Sequence, residues 1–85
     1  MIRYSLFLIP YFKPMLKAIL IDDEPDCVQL LARELAVHCP QVQVVGQTSS
    51  SEEGLRLVQI HQPDLLFLDI EMPRMNGFQL LERLG

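Results

Sequence analysis

Leu65-Leu66-Phe67-Leu68-Asp69-Ile70-Glu71-Met72-Pro73 is the stretch around which the remaining residues arrange themselves. Leu65 to Leu68 is an unbroken apolar run, too short for a helix of ordinary length, and a proline closes the stretch. Such a run reads as a β-strand buried on both faces. In an open α/β sheet, ligands meet the protein just beyond the carboxyl ends of the strands. Asp69 stands at that boundary, which makes it the first candidate functional residue.

Upstream, the same pattern occurs once more. Ala18 to Ile21 is a second apolar run, and it ends on Asp22 and Asp23. Glu24-Pro25 then opens a helix, since proline is tolerated in the first turn, where its missing N–H has no partner to lose. Val28, Leu31, Ala32, Leu35 and Ala36 follow helical spacing and form one apolar stripe. The helix is predicted to stop near His38, ahead of Pro40. Val42-Gln43-Val44-Val45 alternates in part, as an edge strand does, and Gly46 is expected to close it. Ser49 with Glu52, and Ser50 with Glu53, both have capping-box spacing, so a helix is expected from about Ser51 to His61, ended by Pro63. Leu55, Leu57, Val58 and Ile60 give it apolar surface, and Gly54 either weakens it or permits close packing. After the strand ending at Asp69, Asn76-Gly77 reads as a turn, and Phe78 to Leu84 as a last helix with Phe78, Leu81 and Leu84 inward. The order β-α-β-α-β-α, with long crossovers, predicts a parallel α/β sheet.

The totals agree with one small globular domain of thin stability margin: 85 residues, 49% hydrophobic and 21% charged. A net charge of -4 with seven scattered Lys and Arg argues against a nucleic-acid surface in this segment. Cys27 and Cys39 are twelve residues apart on the expected helix, about 18 Å at the helical rise, so a disulfide between them would break it. Reduced thiols point to the cytoplasm. His38 and His61 are isolated and lack metal-ligand spacing. Residues 1–14 differ in composition from the remainder of the chain. Their apolar run, Leu6 to Ile9, is too short to span a membrane and is interrupted by Pro10. No signal-peptide pattern is present. We read them as an extension outside the domain, with Met15 as the natural start, in preference to a membrane-surface anchor. The domain is then residues 15–85.

Asp22, Asp23 and Asp69 are expected to converge at one edge of the sheet. Like charges at that range repel and raise one another's pKa unless a cation neutralises them. Mg²⁺ suits carboxylate and carbonyl oxygens, and the lack of Cys or His in the group disfavours zinc. A carboxylate beside Mg²⁺ can act as a nucleophile on phosphorus.

Ile21-Asp22-Asp23-Glu24-Pro25, Pro63 to Pro73, and Met75-Asn76-Gly77 together resemble the receiver domain of two-component response regulators over about residues 15 to 85. The resemblance implies a flavodoxin-like, doubly wound parallel sheet. It also implies that Asp69 accepts phosphate from a sensor histidine kinase, and that Asp22, Asp23, Asp69 and the backbone carbonyl of Glu71 hold Mg²⁺. The wording Ile-Asp-Asp-Glu-Pro with Asp-Ile-Glu-Met-Pro is similar to regulators with a LytTR-type DNA-binding domain downstream, so no DNA contact is expected from this segment itself. Such a receiver has five strands and about 120 residues, an ordinary domain size. The chain matches its first three strand-helix units and carries neither the Ser or Thr that follows strand four nor the Lys that follows strand five.

A truncated sheet of that kind leaves Leu65 to Leu68 as an open apolar edge prone to self-association. Two alternatives stand beside the signalling reading. One is a phosphatase of the haloacid dehalogenase type with Asp69 as nucleophile, where Glu71 and Pro73 depart from the expected Asp-x-Asp-x-Thr. The other is an inert fragment.

Overall fold

The computed structural model describes residues 4–8, 15–69 and 77–84. Its elements are β1 (Tyr4–Leu8), β2 (Leu16–Ile21), α1 (Pro25–His38), β3 (Val42–Thr48), α2 (Ser51–His61), β4 (Leu65–Asp69) and α3 (Gly77–Leu84). The strands form one sheet in the order β1-β4-β2-β3. β2 lies between β3 and β4 and is parallel to both. This is the parallel α/β architecture that the sequence predicts.

Alternation along the two central strands sorts their side chains onto two faces. Ile19, Ile21, Leu66 and Leu68 join Leu55 and Leu80 in one core, with Val45, Leu57 and Val58 packed against it. Leu20 joins Val28 and Leu35 in the other, with Leu31, Ala32 and Phe67 alongside. The first core lies under α2 and α3, the second under α1. In-register pairing carries the division across the strands, because Ile19 lies beside Leu66, Leu20 beside Phe67 and Ile21 beside Leu68.

Local signals set the helix boundaries. α1 begins at Pro25 as expected. At α2, Ser50 is the capping serine: its Oγ accepts from the Glu53 N–H at 3.2 Å. α2 ends where Gln62 takes a left-handed conformation, φ 47°, just before Pro63. Gly54 faces the sheet so closely that a Cβ there would meet Ile21 Cγ1 at 2.9 Å. The glycine is thus a close-packing device between α2 and β2.

Several expectations are corrected. β3 does not close at Gly46 but runs to Thr48. The pairing skips Val45, since Ala18 pairs with Val44 and Ile19 with Gly46. This bulge absorbs one residue and lets the ladder continue. Ala36 and Ile60, assigned to apolar stripes, are exposed. On α1, Cys39 at the helix end packs against the core in place of Ala36. In α3, Leu80 is fully buried, while the side chains of Phe78, Leu81 and Leu84 lie outside the described residues, as does Asn76.

The largest correction concerns the edge of β4. It is not open: Tyr4–Leu8 pairs with it antiparallel, from Tyr4 opposite Asp69 to Leu8 opposite Leu65. The exposed edge from which self-association was expected is therefore covered by the chain's own N-terminal segment.

Candidate functional site

The parallel register of β2 and β4 builds the site. Ile21 and Leu68 are the last in-register pair, and each strand's next residue is an aspartate. Asp22 and Asp69 are therefore delivered side by side at the carboxyl end of the sheet, each only 1% exposed. The Asp22 N–H extends the ladder by donating to the Thr48 carbonyl at 3.2 Å. Asp22 Oδ1 accepts from the Glu24 N–H at 3.0 Å, which fixes its carboxylate as the chain turns into α1. Asp23, half-buried, completes the group.

One carboxylate oxygen from each of Asp22, Asp23 and Asp69 lies within 4.8 Å of the others. The convergence expected from the sequence is therefore present. Its electrostatic cost is visible at Asp23, whose carboxyl is pushed above the ordinary value of 3.8. Burial is the largest cause, followed by hydrogen bonding of the protonated form with Asp69 and Asp22 and by their negative charge.

The donor set is entirely oxygen, of the kind Mg²⁺ selects. The three carboxylates are grouped closely enough to be candidate ligands of one ion. Glu71, whose carbonyl was expected to contribute, lies outside the described residues. So do Met72 and Pro73.

A third buried acid, away from this group, was not singled out as a functional residue from sequence. Asp64, 4% exposed, accepts the Lys17 N–H on Oδ2 at 2.9 Å, and its own N–H donates to the Lys17 carbonyl at 2.8 Å. Lys17 Nζ in turn donates to the His61 carbonyl at 3.3 Å. These contacts join the start of β2 to the turn between α2 and β4, at the opposite end of the strands from Asp69. The signal in the sequence was an Asp immediately after Pro63 and before an apolar strand, a pattern equally suited to an exposed turn.

Known proteins share both this sequence and this architecture. The family described as response regulator receiver domain matches residues 18–85. An uncharacterized response regulatory protein of Vibrio cholerae serotype O1 is 46% identical over 70 residues, covering 82% of this chain and 29% of that one. The transcriptional regulatory protein BtsR of Escherichia coli K12 is 41% identical over 71 residues, covering 79% of this chain and 28% of BtsR. Among solved structures, a two-component response regulator of the LuxR family from Aurantimonas superposes with a TM-score of 0.71 at 26% identity, over 82% of this chain and 49% of that one. The chain belongs to the response regulator receiver domain family, a signalling module of two-component systems. It spans less than a third of the length of these curated relatives. The haloacid dehalogenase reading is not favoured.

Proposed function

We propose that this domain is the phosphoacceptor of a two-component relay, with Asp69 as the acceptor. The observation that carries the reading is the convergence of Asp22, Asp23 and Asp69 at the carboxyl end of a parallel sheet. A phosphohistidine on a sensor histidine kinase is the donor. A carboxylate oxygen of Asp69 attacks phosphorus and forms the new O–P bond. The P–N bond breaks with its electron pair passing to the imidazole nitrogen. Asp22, Asp23 and Asp69, with the Glu71 carbonyl, are the residues that would hold Mg²⁺. When bound, the ion offsets the charge of the acids and of the phosphoryl oxygens.

The product is the phosphorylated domain itself, so the module is a signalling switch and not a turnover enzyme. The receiver unit is residues 15–85, with Tyr4–Leu8 paired onto the edge of its sheet. The output function belongs to a further domain, as in relatives named transcriptional regulators, and this acidic segment makes no DNA contact of its own. Among the described residues no helix is long and apolar enough to cross a membrane, and the cytoplasm is the compartment in which a kinase and reduced Cys27 and Cys39 would coexist.

Incubation with p-nitrophenyl phosphate and Mg²⁺ tests the reading against a phosphatase. The receiver reading predicts no sustained release of nitrophenol. Continuous turnover that is lost on Asp69→Asn would establish the enzyme instead.

A further inference from the structure

We propose that Thr48 is a positioning residue for Asp22: its carbonyl holds the Asp22 main chain, and its hydroxyl keeps that carbonyl in place by tying the end of β3 to α2. The proposal rests on the reading of the three acids as a Mg²⁺ site. On the β4 side the ladder of β2 ends at Ile21, opposite Leu68. On the β3 side Ile21 lies opposite Thr48, and one further bond follows, from the Asp22 N–H to the Thr48 carbonyl at 3.2 Å. The main chain of the first acid is thus fastened to the last residue of an edge strand. How firmly Asp22 is held depends on how firmly Thr48 is held.

Three contacts hold it, and they close a circuit. Thr48 Oγ1 accepts from the Ser50 N–H at 3.0 Å. The Ser50 carbonyl accepts from the Gly54 N–H at 2.8 Å, in the first turn of α2. Gly54 lies against Ile21 with no room for a Cβ, and Ile21 is the residue before Asp22. Thr48 enters this circuit twice, through its carbonyl and through its side chain, and the side chain is the part a substitution can remove. Thr48 and Ser49 also border an open cleft of about 280 Å³ that Pro25, Val28 and Gln29 of α1 help to line. With space on that side, the turn from β3 into α2 relies on its hydrogen bonds. A shift of the Asp22 main chain moves its carboxylate relative to Asp23 and Asp69, and groups that hold a metal's ligands in place commonly contribute about tenfold or more to affinity.

Hydrogen exchange and Mg²⁺ titration on the 85-residue chain test this, comparing the parent with Thr48→Val, Thr48→Ser and Ser49→Ala. Valine keeps the branched shape and removes the acceptor. In metal-free Thr48→Val the Asp22 amide should lose much of its protection through local opening, while the Ile19 to Ile21 amides keep theirs. The Mg²⁺ dissociation constant of this variant, measured by calorimetry, should rise about tenfold. Thr48→Ser retains the hydroxyl and should restore both quantities. Ser49→Ala, at an exposed position on the same turn, should leave both as in the parent. Parent-like exchange and affinity in Thr48→Val would overturn the proposal, as would a Thr48→Ser chain that resembles Thr48→Val. Protection lost throughout β2 in Thr48→Val would make Thr48 a support of the whole sheet and overturn the positioning role. An Asp22 amide already unprotected in the parent would overturn it without any variant. A parent chain that binds no Mg²⁺ would instead overturn the metal reading of the acids, and the metal-free exchange rates would still decide what Thr48 does.

Discussion

Asp22 and Asp69 each stand one residue beyond the last in-register pair of β2 and β4, Ile21 with Leu68. Their proximity is thus a property of the backbone ladder, not of flexible loops. Buried apolar strands on both sides hold two carboxylates at 1% exposure, and Asp23 adds a third. A site built this way is already in position for a divalent ion, at a cost in the ion's absence.

That cost gives the first prediction. With the Asp23 carboxyl held above 3.8, the folded state retains a proton that the unfolded chain has released. Metal-free stability should therefore fall as pH rises from 3.8 through the folded value, then level off. Asp23→Asn should remove this loss, melt higher than the parent in EDTA near neutral pH, and weaken Mg²⁺ binding about tenfold. Thermal melts with and without Mg²⁺ check both halves. A variant that melts below the parent in EDTA would mean that the three acids do not repel.

Gly54→Ala separates helix propensity from packing. In an exposed helix position the change stabilises by about 1 kcal/mol. Here the added methyl would run into Ile21 Cγ1 and Cδ1, in a side chain that is fully buried. The loss from overpacking should outweigh the gain, for a net destabilisation of about 1 to 2 kcal/mol. Urea denaturation of the two chains decides it, and a stabilised variant would show that α2 lifts off β2 without penalty.

Asp64→Ala removes the acceptor for the Lys17 N–H in a part-buried contact and should cost about 1 kcal/mol. Asp64→Asn keeps an acceptor oxygen and should recover much of that loss. The two midpoints, compared by chemical denaturation, distinguish the hydrogen bond from the charge. Equal losses in both variants would assign the stability to the charge.

Much of this fold can be read from local pattern. Ala18 to Ile21 and Leu65 to Leu68 are continuous apolar runs because helices cover both faces of the strands, and each ends on the acid that makes the site. Pro25, Ser50 and Pro63 mark helix limits through the backbone groups they satisfy or remove. What escaped the sequence depends on distant partners. Tyr4–Leu8 is a short, mostly apolar stretch whose pairing lies about sixty residues away, and nothing local distinguishes it from an unstructured tail. The bulge at Val45 is a property of the β2–β3 pair, not of either strand alone. Asp64 has the sequence of a turn residue, and its burial appears only once Lys17 lies beside it. Ile60 continues an apolar pattern that the helix has already turned away from the sheet.

Assigning Asp69 as the phosphoacceptor is tested most directly by mass spectrometry of the 85-residue chain after incubation with acetyl phosphate, with and without Mg²⁺. The expected outcome is one Mg²⁺-dependent, base-labile phosphoryl group on the parent chain and none on Asp69→Asn, whose fold is checked by circular dichroism. A phosphoryl group that persists on Asp69→Asn, or one that forms equally well in EDTA, would remove Asp69 and its acidic neighbours from that role.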